Sequence, residues 1–336
     1  MRWREPQSRA AKNENNMNKT KSFVRIDSGF VDYPFSTLLN VPPPDADVDP
    51  WHLGAVSPAV GQLVITTPTG ARLDPSTEDL LVPAMKLRNR PFVDNYPLWQ
   101  GTTSDLAPFY DEYTISGPTA FLIAPNEVVT AFHSIVEVDI QRTFFVFGRH
   151  SQSAFAAAVP GQTHIRVPAG HFARVEAIIN RGRDGTTSGN DWARLRLDRE
   201  LRDITPIRPA HADEVSALEA GQVRNLRVLS HPLGLPLKFA RADDLGQPPG
   251  PCSGPHQVLV DIGTGSSGAP LLLVREDGTH VLVGVVNGGK VGFTERNLVR
   301  TPTGLTLDPA AVFDDAPQYV TPLCKTDISA TAVAGA

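Results

Sequence analysis

The chain has 336 residues, 41% of them hydrophobic, which allows either one large β-rich domain with an extension or two domains. Its formal net charge of −5 and its scattered basic residues give no reason to expect a nucleic acid as partner. The 30 prolines and 27 glycines exceed ordinary usage and favour many short strands and turns over long helices.

Two cysteines, Cys252 and Cys324, are too few for a disulfide-dense secreted scaffold, and the sequence leaves open whether they form a bridge or stay as thiols. No apolar run approaches the ~20 residues of a membrane span, so we expect no membrane partner. The polar N-terminus lacks the apolar core of a signal peptide. These features favour a cytoplasmic protein, and they leave its oligomeric state open.

Residues 1–95 are predicted to form a proline-rich N-terminal extension. The first residues are polar, and prolines then recur through an irregular stretch that contains one plausible strand, 62–67. We expect this extension to pack on the rest of the chain as a pro-segment, a lid or an interaction module.

After residue 96 the sequence changes to short apolar runs separated by turns. These runs, each predicted to be a strand, are 120–123, 127–131, 141–148, 174–179, 192–197, 223–229, 257–261, 269–274 and 280–286. One short helix is predicted over 211–220, with acidic residues near its start. Strands without helices between them predict an all-β fold of antiparallel barrels or a sandwich.

A glycine-rich loop between two of these runs has the features of a nucleophile loop. It reads Gly-Thr-Gly-Ser-Ser-Gly-Ala-Pro over residues 263–270. Its glycines permit positive φ and close approach of the backbone, which a nucleophilic serine needs because backbone N–H groups must meet the developing oxyanion. Taken alone, the loop also fits an ordinary Gly/Ser hairpin turn.

A serine nucleophile needs a histidine base that is oriented by a buried carboxylate. His133 follows the apolar run 127–131, where a loop could hold it at a cleft, although it could equally cap a strand end. Asp191 precedes the alternating run 192–197, although, taken alone, a turn aspartate that bonds its own backbone is the plainer interpretation. The dispersed histidines show no metal-ligand spacing, so no metal site is predicted.

The segments 130–133, 190–197 and 265–270 resemble, in this order, the three signature segments of the chymotrypsin-like serine proteases. The resemblance covers about residues 97–325 and is nearest to a bacterial, disulfide-poor branch that includes the glutamyl endopeptidases. It implies two packed six-stranded antiparallel β-barrels, a trypsin-like protease domain over residues 96–336. The Ala/Thr/Gly composition after Ser329 predicts a frayed C-terminal tail.

By this resemblance Ser267 is the nucleophile, His133 the general base and Asp191 the group that orients the imidazole. The backbone N–H groups of Gly265 and Ser267 would form the oxyanion hole. Ser266 is the rival nucleophile, but in the family the serine followed by Gly-Ala-Pro is the reactive one. The implied activity is serine endopeptidase action on a polypeptide substrate, without a cofactor.

The resemblance also suggests how a substrate is held. Val286, Asn287 and Gly288 would pair with an extended substrate backbone. Asp261 matches the pocket-base acid of trypsin-type enzymes, which would favour arginine or lysine, although a strand-end aspartate bonded to backbone is the plainer interpretation. The branch's histidine for acidic side chains is missing near Val285, which counts against glutamate preference. A catalytically inactive binding module with a protease fold is the alternative function.

Overall fold

The computed structural model describes residues 39–40, 53–67, 70–89, 92–93, 96–97, 107–182, 189–219, 225–246, 254–260, 265–289, 298–301, 304–307 and 318–328. The strands in these ranges are β1 (Leu39–Asn40), β2 (Val60–Ile65), β3 (Arg72–Leu73), β4 (Leu80–Pro83), β5 (Met85–Lys86), β6 (Phe92–Val93), β7 (Tyr96–Pro97), β8 (Tyr113–Thr114), β9 (Thr119–Ala124), β10 (Glu127–Thr130), β11 (Thr143–Phe147), β12 (His164–Val167), β13 (Phe172–Arg181), β14 (Ala193–Leu197), β15 (Leu226–Ser230), β16 (Lys238–Gly246), β17 (His256–Val260), β18 (Pro270–Val274), β19 (His280–Gly289), β20 (Leu298–Thr301), β21 (Gly304–Leu307) and β22 (Gln318–Pro322). The α-helix α1 is Ala212–Glu219, and the 3-10 turns are Ser57–Ala59, Leu87–Asn89, Ala107–Phe109, Phe132–Ser134, Ile140–Arg142, Ala169–His171, Pro232–Gly234 and Leu323–Lys325.

Six strands form a closed antiparallel barrel in the order β10-β14-β13-β11-β2-β9. The expected hairpin at residues 125–126 joins β9 to β10, with Val128 opposite Leu122. β14 has the alternation that its sequence predicts, because Ala193, Leu195 and Leu197 are buried while Arg196 is exposed. This barrel carries the histidine and the aspartate of the candidate site at the ends of its strands.

The second sheet has seven antiparallel strands in the order β1-β16-β15-β18-β19-β22-β17. β16 also pairs with β17, through Ala242 opposite Val260, so six of these strands are joined in a ring. Apolar side chains from both sheets, such as Leu122 of the first and Leu271 of the second, belong to one continuous buried core. The protein is therefore all-β with the predicted chymotrypsin-like arrangement of two packed antiparallel sheets.

The boundary expected at residue 95 does not separate the barrel from the chain before it. β2 lies in the predicted extension, yet it forms part of the barrel wall by pairing with β11 and β9. β1 adds to the edge of β16, and β4 pairs with β12. Without β2 the barrel would have two open edges with unpaired backbone groups. Leu63 and Val64 of this strand are buried in the core, so β2 is part of the barrel and not an appended segment.

Three further expectations concern smaller features. The predicted helix 211–220 forms as α1. Cys324 takes part in a disulfide bond, which decides against free thiols, and Cys252 is the one other cysteine in the sequence. Within the described part of the chain, the helix is too short to cross a membrane.

Candidate active site

The loop before β18 presents one serine to solvent and buries the other. Ser266 is fully buried and its hydroxyl donates to Ser230 Oγ at 3.0 Å, whereas Ser267 is half-buried and lines a cleft. Gly265 has φ +95° and Gly268 has φ +84°. A Cβ at Gly268 would lie 2.3 Å from the carbonyl oxygen of Thr119, so the loop can follow this path only with glycine there.

His133, Asp191 and Ser267 lie in one hydrogen-bonded line. His133 sits in the 3-10 turn that follows β10, and its Nε2 is 3.1 Å from Ser267 Oγ. Its Nδ1 is 2.5 Å from Asp191 Oδ2, and its backbone N–H donates to Asp191 Oδ1 at 2.8 Å. The carboxylate is fully buried, while 36% of the imidazole is exposed, so the ring is held from the inside and open on the side of the serine.

Two buried side chains of the second sheet hold Asp191 in place. The backbone N–H of Asp191 donates to Thr321 Oγ1 at 3.1 Å, and this hydroxyl in turn donates to Asn287 Oδ1 at 2.9 Å. Both Thr321 and Asn287 are fully buried. Asp191 therefore directly precedes β14 of the first barrel in the chain, but its hydrogen bond to Thr321 anchors it on the second sheet.

The backbone of the serine loop is anchored on Thr119, the first residue of β9. The N–H of Thr119 donates to the carbonyls of Gly265 at 2.8 Å and Ser267 at 3.0 Å, and its hydroxyl donates to the Gly265 carbonyl at 2.6 Å. Among the described residues, no acceptor takes the N–H of Gly265 or of Ser267. An oxyanion hole at these two donors stays a prediction.

The three residues expected to bind a substrate backbone differ in their surroundings. Val286 is fully buried, its N–H donates to the Ala269 carbonyl at 2.9 Å and its carbonyl accepts from Gly268 at 2.7 Å. Both of its backbone groups are thus bonded to the loop that carries Ser267. The carbonyl of Asn287 lies 3.3 Å from Ser267 Oγ. Gly288 follows with φ +134°, and Asp261 lies outside the described residues.

A cleft of about 310 Å³ opens beside Ser267. One wall is the segment 115–118, the other is the turn containing Leu233 and Gly234, and His133 and Ser134 complete the lining. Ser134 Oγ is 3.2 Å from His133 Nε2, so a second hydroxyl competes for the same ring nitrogen. The sequence analysis did not identify the residues of these walls, and it also missed Thr119 and Thr321. The roles of all these residues depend on contacts with residues far away in the chain.

The described residues contain no group of three or more His, Cys, Asp or Glu side chains that could hold a metal ion.

Comparison with solved structures gives likenesses at low sequence identity. No protein-family model matches the sequence, and no curated protein matches it. The active form of the Rv3671c protease from M. tuberculosis is similar with a TM-score of 0.43 and 15% sequence identity, over 91% of this chain and 93% of that chain. An inactive serine-to-alanine mutant of Rv3671c from M. tuberculosis H37Rv gives a TM-score of 0.41 and 14% identity, over 88% of this chain and 95% of that chain.

Proposed function

We propose that the protein is a serine endopeptidase in which Ser267, His133 and Asp191 act as a catalytic triad. The observation that carries the proposal is the line of contacts from Ser267 Oγ to His133 Nε2 at 3.1 Å and from His133 Nδ1 to Asp191 Oδ2 at 2.5 Å. The first distance lies within the reach that proton transfer requires, and the second is that of a hydrogen bond that orients the imidazole and stabilises its cation. The same serine borders an open cleft, which Gly265 also lines.

The first half of the reaction forms an acyl-enzyme. His133 Nε2 takes the proton of Ser267 Oγ as this oxygen bonds to the substrate carbonyl carbon, and the carbonyl oxygen becomes an oxyanion. The N–H groups of Gly265 and Ser267 bind that oxyanion, at about 3–4 kcal/mol for each donor. The imidazolium, stabilised by the buried Asp191 carboxylate, then gives its proton to the leaving nitrogen, and the C–N bond breaks.

The second half reverses these roles with water. His133 takes a proton from a water molecule, whose oxygen bonds to the acyl carbon, and the proton then returns to Ser267 Oγ as the acyl C–O bond breaks. The products are a carboxylic acid and the regenerated serine. In the net reaction one water molecule is consumed and one peptide bond is replaced by a carboxylic acid and an amine, so no oxidant, reductant or other reactant is needed.

An extended substrate backbone would pair with Asn287 and Gly288, next to the nucleophile. We further propose that Asp261, which lies outside the described residues, forms the base of the primary pocket and makes this pocket prefer arginine or lysine side chains. A peptide-library cleavage profile tests this preference, because a buried carboxylate at the pocket base predicts cleavage after arginine or lysine.

Labelling with a fluorophosphonate, which reacts only with an activated serine, tests the nucleophile. We expect the wild type and Ser266→Ala to be labelled and Ser267→Ala to stay unlabelled; Ser266→Ala is the matched control, because it removes a hydroxyl from the same loop. Equal labelling of the wild type and Ser267→Ala would refute the assignment. Folded wild-type protein without labelling or peptide cleavage would instead favour the inactive binding module.

A further inference from the structure

A buried arginine contacts three separate segments around the cleft. Arg149 follows β11 and is only 1% exposed. Its Nη1 donates to the Gly234 carbonyl at 2.9 Å and to Gln62 Oε1 at 3.3 Å, and its Nη2 donates to the Tyr113 carbonyl. One guanidinium therefore joins β2 of the first barrel, strand β8 and the 3-10 turn Pro232–Gly234 of the second sheet.

These contacts reach both walls of the cleft beside Ser267. Gly234 belongs to one wall, and its carbonyl also accepts the N–H of Ile115 from the other wall at 2.9 Å. Gln62 Nε2 donates to the carbonyl of Gly117, which lines the cleft on the Ile115 side, at 3.3 Å. The two walls are thus bonded to each other and to Arg149.

The turn that Arg149 holds has an unfavourable backbone conformation. Leu233 has φ +57°, in the left-handed region that leucine rarely adopts, and Gly234 follows with φ +75°. A Cβ at Gly234 would lie 1.9 Å from the carbonyl oxygen of Ile115, so the walls are in close contact at this point. Such a conformation persists only when its surroundings hold it, and the hydrogen bonds from Arg149 and Ile115 do so.

Burying the charged guanidinium of Arg149 at this position costs desolvation free energy. Burial lowers its pKa to about 9, although the nearby charge of Glu112 acts in the opposite direction, so the guanidinium is still charged at neutral pH. Its hydrogen bonds to Gln62, Gly234 and Tyr113 all go to uncharged oxygens. An apolar side chain of similar volume would pack there at a smaller desolvation cost. A guanidinium, however, directs several hydrogen bonds in a fixed plane, which an apolar side chain cannot do.

We propose that Arg149 is a positioning residue that sets the separation of the cleft walls where substrate residues after the scissile bond bind. This inference rests on the proposed function. The cleft is lined by His133, which gives its proton to the leaving nitrogen, and by Ser134, whereas Asn287 and Gly288 are not part of the lining. It is therefore the leaving-group side of the site, and Arg149 governs how the leaving segment is bound.

The test compares two substrates that share the same acyl part. One is a peptide with three residues after the cleaved bond, and the other is a p-nitrophenyl ester, whose leaving group makes few contacts with the walls. In Arg149→Met we expect kcat/KM for the peptide to fall about tenfold, mainly through KM, while the ester value stays within about twofold. Gln62→Leu removes the side chain that connects Arg149 to the Gly117 carbonyl. It should also lower kcat/KM for the peptide relative to the ester, but by a smaller factor.

Arg166→Met is the matched control, because Arg166 pairs with Asp74 and Asp79 and has no contact with the cleft. Thermal unfolding of each variant is recorded, and if Arg149→Met does not fold, Gln62→Leu decides. An unchanged ratio of peptide to ester activity in the folded variants would overturn the proposal, whether both activities are retained or both fall by the same factor. If the wild type cleaves neither substrate and takes no fluorophosphonate label, the proposed function itself has failed, and this inference fails with it.

Discussion

Two buried histidines behind the active site should make the protein sensitive to mild acid. His150 is 6% exposed, and burial, with the nearby charge of Lys238, lowers its pKa to about 4 from a usual 6.5. His231 is fully buried, and burial together with the charge of Arg149 holds its pKa well below the usual value. Both imidazoles are therefore neutral in the folded protein at a pH where the unfolded chain already binds a proton.

The sign and size of the effect follow from this difference. The unfolded state binds more protons than the folded state between pH 6.5 and 4, so the free energy of unfolding falls as the pH is lowered through this window. For His150 alone the loss is about 2 kcal/mol at pH 5 and about 3 kcal/mol at pH 4. His231 adds to the loss in the same direction.

Urea unfolding followed by tryptophan fluorescence at pH 7, 6, 5 and 4.5 measures this loss. His150→Gln keeps a neutral polar side chain, so its stability should fall less steeply with acid than that of the wild type, and the two curves should converge on acidification. His211→Gln is the control, because His211 is an exposed residue just before α1. Parallel curves for the wild type and His150→Gln would refute the reasoning, because a histidine that titrates alike in both states contributes no pH dependence.

Three other substitutions test the framework of the site. Thr119→Val removes the hydroxyl that donates to the Gly265 carbonyl, so we expect a loss of about 1–3 kcal/mol in urea unfolding and a lower kcat for peptide cleavage. Gly268→Ala places a Cβ 2.3 Å from the Thr119 carbonyl oxygen, and a thermal melt should show a loss of at least about 2 kcal/mol. Thr321→Val leaves the buried N–H of Asp191 without its acceptor and should lower kcat in steady-state assays while fluorophosphonate labelling persists at a reduced rate. Wild-type kcat in Thr119→Val and Thr321→Val, or wild-type stability in Gly268→Ala, would contradict these assignments.

The strands, and the positions of the candidate residues at their ends, could be predicted because their signals are local, whereas the choice of these three residues as a triad rested on the resemblance to the chymotrypsin-like serine proteases. The alternation of β14, the hairpin between β9 and β10, and the glycines around Ser267 each occupy a few consecutive residues. The order of the histidine, aspartate and serine segments also needs no knowledge of the fold. Local periodicity and turn chemistry were therefore sufficient to place each candidate residue at the end of a strand.

The supporting contacts could not be predicted because each joins residues far apart in the chain. Thr119 bonds to Gly265 across 146 positions, and the hydroxyl of Thr321 accepts from Asp191 across 130 positions. A threonine at the start of an apolar strand carries no sign of such a partner. The barrel strand β2 was assigned to the extension for the same reason, because the prolines around it suggested an irregular segment and its pairing with β11 is a long-range contact.

The polar contacts between the two sheets have a different role from the apolar core. Apolar side chains pack with little directional preference, so a volume-conserving change in the core lets the sheets shift slightly at a modest cost. The hydrogen bonds of Thr119, Thr321 and Arg149 are directional, and they connect the parts whose relative position sets the distance between His133 and Ser267. We therefore expect that removing one of these hydrogen bonds lowers kcat or raises KM by more than a core substitution that causes the same loss in the free energy of unfolding. Core substitutions of equal cost should lower stability with little change in either constant, since they leave the directional contacts at the crevice in place.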